Sequence, residues 1–305
     1  MGSIKTRFLV LSDTHGKEFT PEATPQLDAV DVVIHCGDLT EASTMDEFRT
    51  ALGILKKINA CLKLSDEAGS SDCSRVCTEN LETPGNFFDQ AASKGIVFLD
   101  EGIHHFNLQN GAVLTVYASP YTPSMRDSGF QFRPENGHKS QMEKPVDVAI
   151  THGPPRGILD MTESGERAGC PGLFAATAQC RPRMHCFGHI HKGWGAELIT
   201  WRDPPNQVPS LSADINHEQS VILETLSTVW SQTGEPREIP NRHQQLEDRA
   251  TLRVCQTSHC MGDKTPLNPG QQTLFVNAAI QGLEEHETTH LPWVVDIELP
   301  RAQSP

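Results

Sequence analysis

Two stretches decide the fold: RFLVLSDTHG at residues 7–16 and DVVIHCGDLTE at residues 31–41. Each begins as an unbroken apolar run, Phe8 to Leu11 in the first and Val32 to Ile34 in the second. Each then turns polar, at Ser12-Asp13-Thr14-His15 and at Gly37-Asp38. Continuous aliphatic runs of this length, bounded by turn residues, fit strands covered on both faces. The polar residues then stand at strand tips. A strand tip is rigid, so side chains there are held in place at little entropic cost, and glycine beside them lets the backbone turn sharply.

The same pattern recurs along the chain. Asp147 to Thr151 and Met184 to Phe187 are further buried strands, followed by His152-Gly153 and by Gly188-His189-Ile190-His191. Ala60 to Leu64, Ile96 to Leu99, Val113 to Ala118, Leu274 to Ile280 and Trp293 to Leu299 complete the expected strands. Between Thr44 and Ile58, Phe48, Leu52 and Leu55 recur at helical spacing, which predicts an amphipathic helix. Residues 65–84 are rich in Ser, Asp and Glu and read as a loop with one irregular helix. Strands alternating with helical segments favour an α/β protein with its site outside the strand ends. Residues 203–272 differ: Pro204, Pro205, Pro209, Pro236, Pro240, Pro266 and Pro269 interrupt a stretch of little periodicity. We read that stretch as a loop insertion in a single domain spanning 1–299, with 300–305 as a tail.

Carboxylate and imidazole side chains are hard and borderline metal ligands. An isolated Asp-x-His is most often a turn with a solvated histidine, and an isolated Gly-Asp says almost nothing. Gly-His-x-His alone also favours a structural role. All of them at strand tips, in this order, favour a metal site, because buried imidazoles and carboxylates are otherwise costly to desolvate.

The stretches RFLVLSDTHG (7–16), DVVIHCGDLTE (31–41), VYASPYTP (116–123), DVAITHGPP (147–155), RPRMHCFGHIHKGWGA (181–196) and TLFVNAAI (273–280) together resemble the calcineurin-like metallophosphoesterase superfamily. The likeness is closest to its small metallophosphoesterase-domain members, which include cyclic-nucleotide phosphodiesterases. The resemblance covers most of residues 7–200 and then 273–299. It implies a four-layer α/β/β/α sandwich with two divalent metal ions, usually manganese, iron, zinc or a related ion. Carried over by position, it implies that Asp13, His15 and His191 hold the first metal, that His152 and His189 hold the second, and that Asp38 bridges them. Asp38 and His152 then belong to the catalytic apparatus. A metal pair about 4 Å apart clamps a phosphate and activates a water for in-line displacement.

One piece of that pattern is missing. The superfamily normally places Gly-Asn-His-Asp or Gly-Asn-His-Glu after the third strand. The Asn completes the second metal shell and the His protonates the leaving oxygen. Here Asn59-Ala60-Cys61-Leu62-Lys63-Leu64 runs directly into Ser65-Asp66-Glu67. The second half of the strand and the Gly-Asn-His are expected to be absent, with Asp66 as the surviving last residue. Gly85-Asn86-Phe87-Phe88-Asp89 is a displaced partial copy, which makes Asn86 and Asp66 the possible replacement ligands. Loss of the acid costs ~10²–10⁴ in rate for a poor leaving group.

The expected function is metal-dependent hydrolysis of a small phosphodiester or phosphomonoester by a two-metal-activated water. The alternative is a catalytically weak or repurposed metal-binding protein on the same fold. A gene sequence that has lost a short stretch at an exon edge would give the same pattern. Arg156, just past His152-Gly153-Pro154-Pro155, is the candidate for bidentate contact to phosphate. Trp194 is read either as a stacking platform for an aryl group or as rim packing. His35, His104 and His105 read as structural histidines, the last two also as substitute acids. Cys255, His259 and Cys260 lack a second cysteine pair at zinc-finger spacing.

Bulk properties narrow the partners. The 305 residues carry a net charge of −14, which repels polyanions and argues against a nucleic-acid polymer as partner. Bound cations reverse that field locally, so a small phosphate ester remains compatible. No apolar run approaches the ~20 residues that span a bilayer, so no membrane partner is expected. The first residues run straight into a strand without a signal-peptide pattern, and nine scattered cysteines suit free thiols. Both point to the cytoplasm.

Overall fold

The apolar run Phe8 to Leu11 forms the C-terminal part of strand β1 (Ser3–Leu11) in the computed structural model. The structure describes residues 2–19, 24–66, 91–125, 129–226, 249–282 and 290–303. After β1 come β2 (Val30–His35), α1 (Met45–Lys57), β3 (Ala60–Ser65), β4 (Ile96–Phe98), β5 (Gly102–Asn107) and β6 (Val113–Ser119). Two short strands, β7 (Thr122–Pro123) and β8 (Gln131–Phe132), pair with each other. Then follow β9 (Val148–Thr151), α2 (Pro171–Cys180), β10 (Met184–Phe187) and β11 (Gly195–Thr200). The short helix α3 (Leu211–Asp214) precedes β12 (Val221–Thr225), β13 (Cys255–Ser258), β14 (Gln272–Asn277) and β15 (Trp293–Pro300).

Two large sheets result. One has the order β13-β15-β1-β2-β3-β4 and the other β12-β11-β14-β10-β9-β6-β5. The central strands are parallel, β1 to β2 to β3 to β4 in the first and β6 to β9 to β10 to β14 in the second. All of their C-terminal tips therefore lie at one end of each sheet. The inner faces meet in one apolar core. Phe8, Val10, Val32, Ile34 and Leu64 from the first sheet join Leu114, Val116, Val148, Ile150 and Val276 from the second.

The outer faces are covered by helices. α1 begins at a capping box, with the Thr44 hydroxyl accepting from Glu47 N and the Glu47 carboxylate accepting from Thr44 N. Such a cap satisfies two otherwise orphaned backbone donors. The helix buries Leu52, Ile54 and Leu55 against Leu9, Leu11 and Val33 on the outer face of the first sheet. Each fully buried aliphatic side chain contributes about 1.5–3 kcal/mol. α2 presents Leu173 and Cys180 to Tyr117 and Ala149, and Phe174 and Ala178 to Phe187 and Phe275, on the other sheet. The four layers are helix, sheet, sheet and helix, as the resemblance implies.

Three expectations need correction. Residues 203–272 are not a bare loop: β12 extends the second sheet and β13 the first. Within that segment, residues 227–248 lie outside the described residues. The tail is partly paired, with Arg301 bridging Ala112 and Ala302 N donating to Gly111 O. Third, β3 is not truncated. It pairs with β2 from Val30–Ala60 to His35–Ser65, and so reaches the same tip. Its last three residues, Lys63 to Ser65, are also paired on the other side with β4, so the tip keeps both ladders. What the chain lacks is the Gly-Asn-His after it. The loop expected at 65–84 falls almost wholly outside the described residues, and Asp66 is the last one described there. Among the described residues no helix is long and apolar enough to cross a membrane.

Candidate metal centre

The tips of β1 and β2 carry their loops side by side. Asp13 N donates to Gly37 O at 3.0 Å, His15 N to Asp38 O at 3.0 Å and Gly16 N to Leu39 O at 2.7 Å. From the other sheet, Gly188 N donates to His152 O at 2.9 Å, so the tips of β9 and β10 are paired in the same way. The two pairs of loops face each other across the sandwich, and His189 N bridges them by donating to both oxygens of Asp13, at 3.1 and 3.0 Å.

Six side chains converge there in two groups. Asp13, His15 and His191 each offer a ligand atom within 4.8 Å of the others, and so do Asp38, His152 and His189. These are the six residues singled out from the sequence, in the grouping the resemblance implies. Asp38 faces both groups: its Oδ2 lies 3.4 Å from His152 Nε2 and 3.8 Å from His15 Nε2. Neither Asp66 nor Arg156 belongs to either group. Asp66 is fully buried at the β3 tip, and its charge raises the pKa of His152. Arg156 is exposed, with its backbone N–H bonded to Cys170 O. Asn86 lies outside the described residues.

The backbone is shaped around these side chains. Asp13, His15, Asp38 and His189 have φ of 58°, 47°, 51° and 65°. Residues other than glycine rarely adopt this left-handed region, and it costs of order 1 kcal/mol or more each. The surrounding structure over-determines it. Gly37 lies so close to His152 that a Cβ would come within 2.5 Å of Nδ1. At Gly188 a Cβ would overlap Asp13 Oδ2 and Ser12 Oγ.

The His152 imidazole is oriented from behind. His152 Nδ1 lies 2.9 Å from Cys36 O. A carbonyl only accepts, so Nδ1 carries the proton and Nε2 is left for a ligand. His15 Nδ1 lies 2.7 Å from Glu41 Oε2 without the alignment of a hydrogen bond. The electrostatics are those of a crowded donor set. Burial alone would raise the Asp13 carboxyl, but the His191 hydrogen bond and the charges of His152 and His191 hold it below the usual range. Burial would also raise Asp38, and the His152 charge and hydrogen bond pull it down. For His152 burial acts downward, and the charge and hydrogen bond of Asp38, with the charges of Asp13 and Asp66, keep it well above 6.5. Burial and the nearby His152 push His189 down to about 4. Two carboxylates and four imidazoles, four of the six on left-handed backbone, fit divalent cations by donor chemistry.

Some contributors were not singled out from the sequence. Asn277, at the tip of β14, donates to Ile190 O at 3.0 Å and to Leu159 O at 3.2 Å. It thereby holds the residue between His189 and His191. Its signal was a buried amide ending the apolar run Leu274-Phe275-Val276. Glu101 and His138, 2.6 Å apart, form a polar cluster with Tyr117 and Ser119 near the tip of β6. Other readings resolve toward structure. Trp194 is buried, donates to Leu291 O and stacks on Trp293 at 5.2 Å, so it is core. His259 bonds Thr257 Oγ1 and Thr265 O, and no metal group forms around it among the described residues. His104 Nε2 is occupied by Asp100 O and His105 Nδ1 by Thr115 Oγ1.

A four-layer sandwich that gathers aspartates and histidines at the strand tips between its sheets is the architecture of a metallophosphoesterase. The chain belongs to the calcineurin-like phosphoesterase superfamily, whose domain model matches residues 7–197. Among relatives, it is 30% identical over 222 residues to human metallophosphoesterase domain-containing protein 1, covering 62% of this chain and 62% of that protein. It is 32% identical over 197 residues to "Probable rhamnogalacturonate lyase C" of Emericella nidulans, covering 64% of this chain and 18% of that protein. A UPF0046 protein of Caenorhabditis elegans is 27% identical over 212 residues, covering 62% of this chain and 52% of that protein. The chain thus spans less than two thirds of the length of each of these relatives. Among solved structures, a purple acid phosphatase from yellow lupin aligns with a TM-score of 0.36 at 10% identity, covering 95% of this chain and 48% of that one.

Proposed function

We propose that the chain is a metal-dependent phosphoesterase acting on a small phosphodiester or phosphomonoester. The observation that carries this is the convergence of Asp13, His15 and His191 with Asp38, His152 and His189 at the strand tips. Two divalent cations bound there, manganese, iron or zinc, would supply Lewis acidity toward a phosphate oxygen and a water of lowered pKa. The residues of the chain do the positioning. Asp38 stands between a histidine of each group, Cys36 O fixes the His152 ring, and Asp13 is held by the His189 N–H. Asp66, buried beside the second group, and Asn86 are the replacement ligands we propose for the missing amide. Arg156 is the proposed phosphate contact. The net charge of −14 favours a small ester over a polymer. We place the protein in the cytoplasm, in keeping with free cysteines at Cys36, Cys61, Cys170, Cys180, Cys186, Cys255 and Cys260.

The experiment is manganese-dependent hydrolysis of an activated aryl phosphodiester, with Asp38→Asn as control. Turnover that falls by about 10² or more in the variant is the expected result. A folded, metal-loaded protein without turnover would overturn it.

A second reading is a weak or repurposed metal-binding protein. It is favoured by one specific observation: β3 ends at Ser65-Asp66 with no Gly-Asn-His behind it. The two readings part on the leaving group. A hydrolase without a general acid retains activity on the aryl ester and loses ~10²–10⁴ on an alkyl ester. A repurposed protein turns over neither.

A further inference from the structure

We infer, on the metal-centre reading above, that Thr14 and His35 are positioning residues for the first metal group. Thr14 stands between Asp13 and His15, two of that group's three side chains. Both neighbours lie in the left-handed region, with φ of 58° and 47°. A turn of that kind persists only where its surroundings over-determine it. Backbone bonds from Asp13 N, His15 N and Gly16 N tie it to the loop after β2. The Thr14 side chain adds a hold of its own. It is buried, and its hydroxyl lies 3.3 Å from Leu39 O and 3.1 Å from His35 Nε2.

The partners fix the direction of these two bonds. A carbonyl only accepts, so the hydroxyl gives its one proton to Leu39 O. Its oxygen then accepts from His35, so Nε2 carries the ring proton. The chain runs from His35 Nε2–H to Thr14 Oγ1 and from Thr14 O–H to Leu39 O, which also accepts from Gly16 N at 2.7 Å. His35 ends a strand in which Val32, Val33 and Ile34 are fully buried. Burial pushes its pKa down to about 4, which keeps the ring neutral. Its other nitrogen, Nδ1, is buried with no hydrogen-bond partner. A buried polar atom left in that state is costly, and an apolar side chain at this strand end would avoid the cost. What the imidazole contributes there is the bond it makes to Thr14.

The test is calorimetric titration of manganese into the metal-stripped full chain. The variants are Thr14→Val and His35→Phe, which cut the chain, and Thr14→Ser and His35→Gln, which keep a hydroxyl and an N–H. Wild type is expected to bind in two steps. Thr14→Val and His35→Phe each weaken one step by about 10–100-fold and leave the other unchanged. Thr14→Ser and His35→Gln bind as wild type does. The double variant Thr14→Val with His35→Phe binds no more weakly than the weaker single variant, because both cut the same path. Thr14→Val binding like wild type overturns the inference and leaves the metal-centre reading standing. So do additive losses in the double variant, or Thr14→Ser and His35→Gln weakened as much as Thr14→Val and His35→Phe. Failure of Thr14→Val or His35→Phe to fold also overturns it, since the role is then structural. A wild type that binds no manganese overturns the metal-centre reading, and this inference with it.

Discussion

Gly37 has φ of +94° and lies against the ring of His152, so a side chain there meets both strain and a ligand. Gly37→Ala should destabilise the fold by about 1–3 kcal/mol, as urea unfolding would show. It should also displace His152 from Cys36 O and weaken the second metal group. Unchanged metal binding in Gly37→Ala would mean that the close approach is incidental. His185 makes a different kind of prediction. It is buried between the hydroxyls of Thr151 and Thr177, at 2.9 and 3.4 Å, and burial lowers its pKa from 6.5 to about 3. Above pH 6.5 neither the folded nor the unfolded chain protonates it. Below that pH the unfolded chain takes up a proton that the folded chain refuses. Its contribution to stability therefore falls by about 1.4 kcal/mol per pH unit as pH drops toward the folded value. The stability gap between wild type and His185→Gln should narrow at that rate between about pH 6.5 and about pH 5. A constant gap would show that His185 is protonated in the fold. At this scale the six candidate ligands were legible because each falls within a few residues of the end of an apolar run. Asn277 was not, because its role depends on which loop lies opposite, and no local pattern encodes that.

The capping box of α1 matters beyond its helix, because Glu47 also gathers Ala42 N and so fixes the loop between β2 and α1. Thr44→Ala should cost about 1 kcal/mol of stability in urea unfolding. A cost near zero would mean that Glu47 alone suffices as the cap. The elements that were legible share a cause. β1, β2, β9, β10 and β14 are covered on both faces, so their sequences are apolar runs, and α1 is amphipathic. The elements that escaped notice lack those signals. β5 (Gly102–Asn107) is an edge strand carrying His104 and His105, half-exposed and without clean alternation. β12 and β13 are edges too, and β13 is the polar Cys255-Gln256-Thr257-Ser258. α2 is mostly small and apolar on all sides, with Ala175, Ala176 and Ala178, so it shows no polar face to set a period. The reading of β3 as truncated mistook a missing loop motif for a missing strand. The strand's six residues suffice to reach the tip of β2.

Across the whole molecule, neither sheet alone makes the site. Asp13, His15 and Asp38 come from the tips of the first sheet, and His152, His189 and His191 from the second, so each group of three joins both. Packing of the inner faces therefore sets the spacing of these side chains, and a cation held by both sheets would stabilise the sandwich. Manganese at about a hundredfold excess over its Kd should add about 2.7 kcal/mol per site. Chelation should remove it, and a melting temperature indifferent to chelator would argue against binding between the sheets. The measurement closest to the central claim is anomalous diffraction at the manganese edge from crystals grown with the metal. Two peaks about 4 Å apart are expected. One should lie in bonding reach of Asp13, His15 and His191, the other of Asp38, His152 and His189. No peak between the sheets, or a single peak bound by other residues, would contradict the two-metal centre.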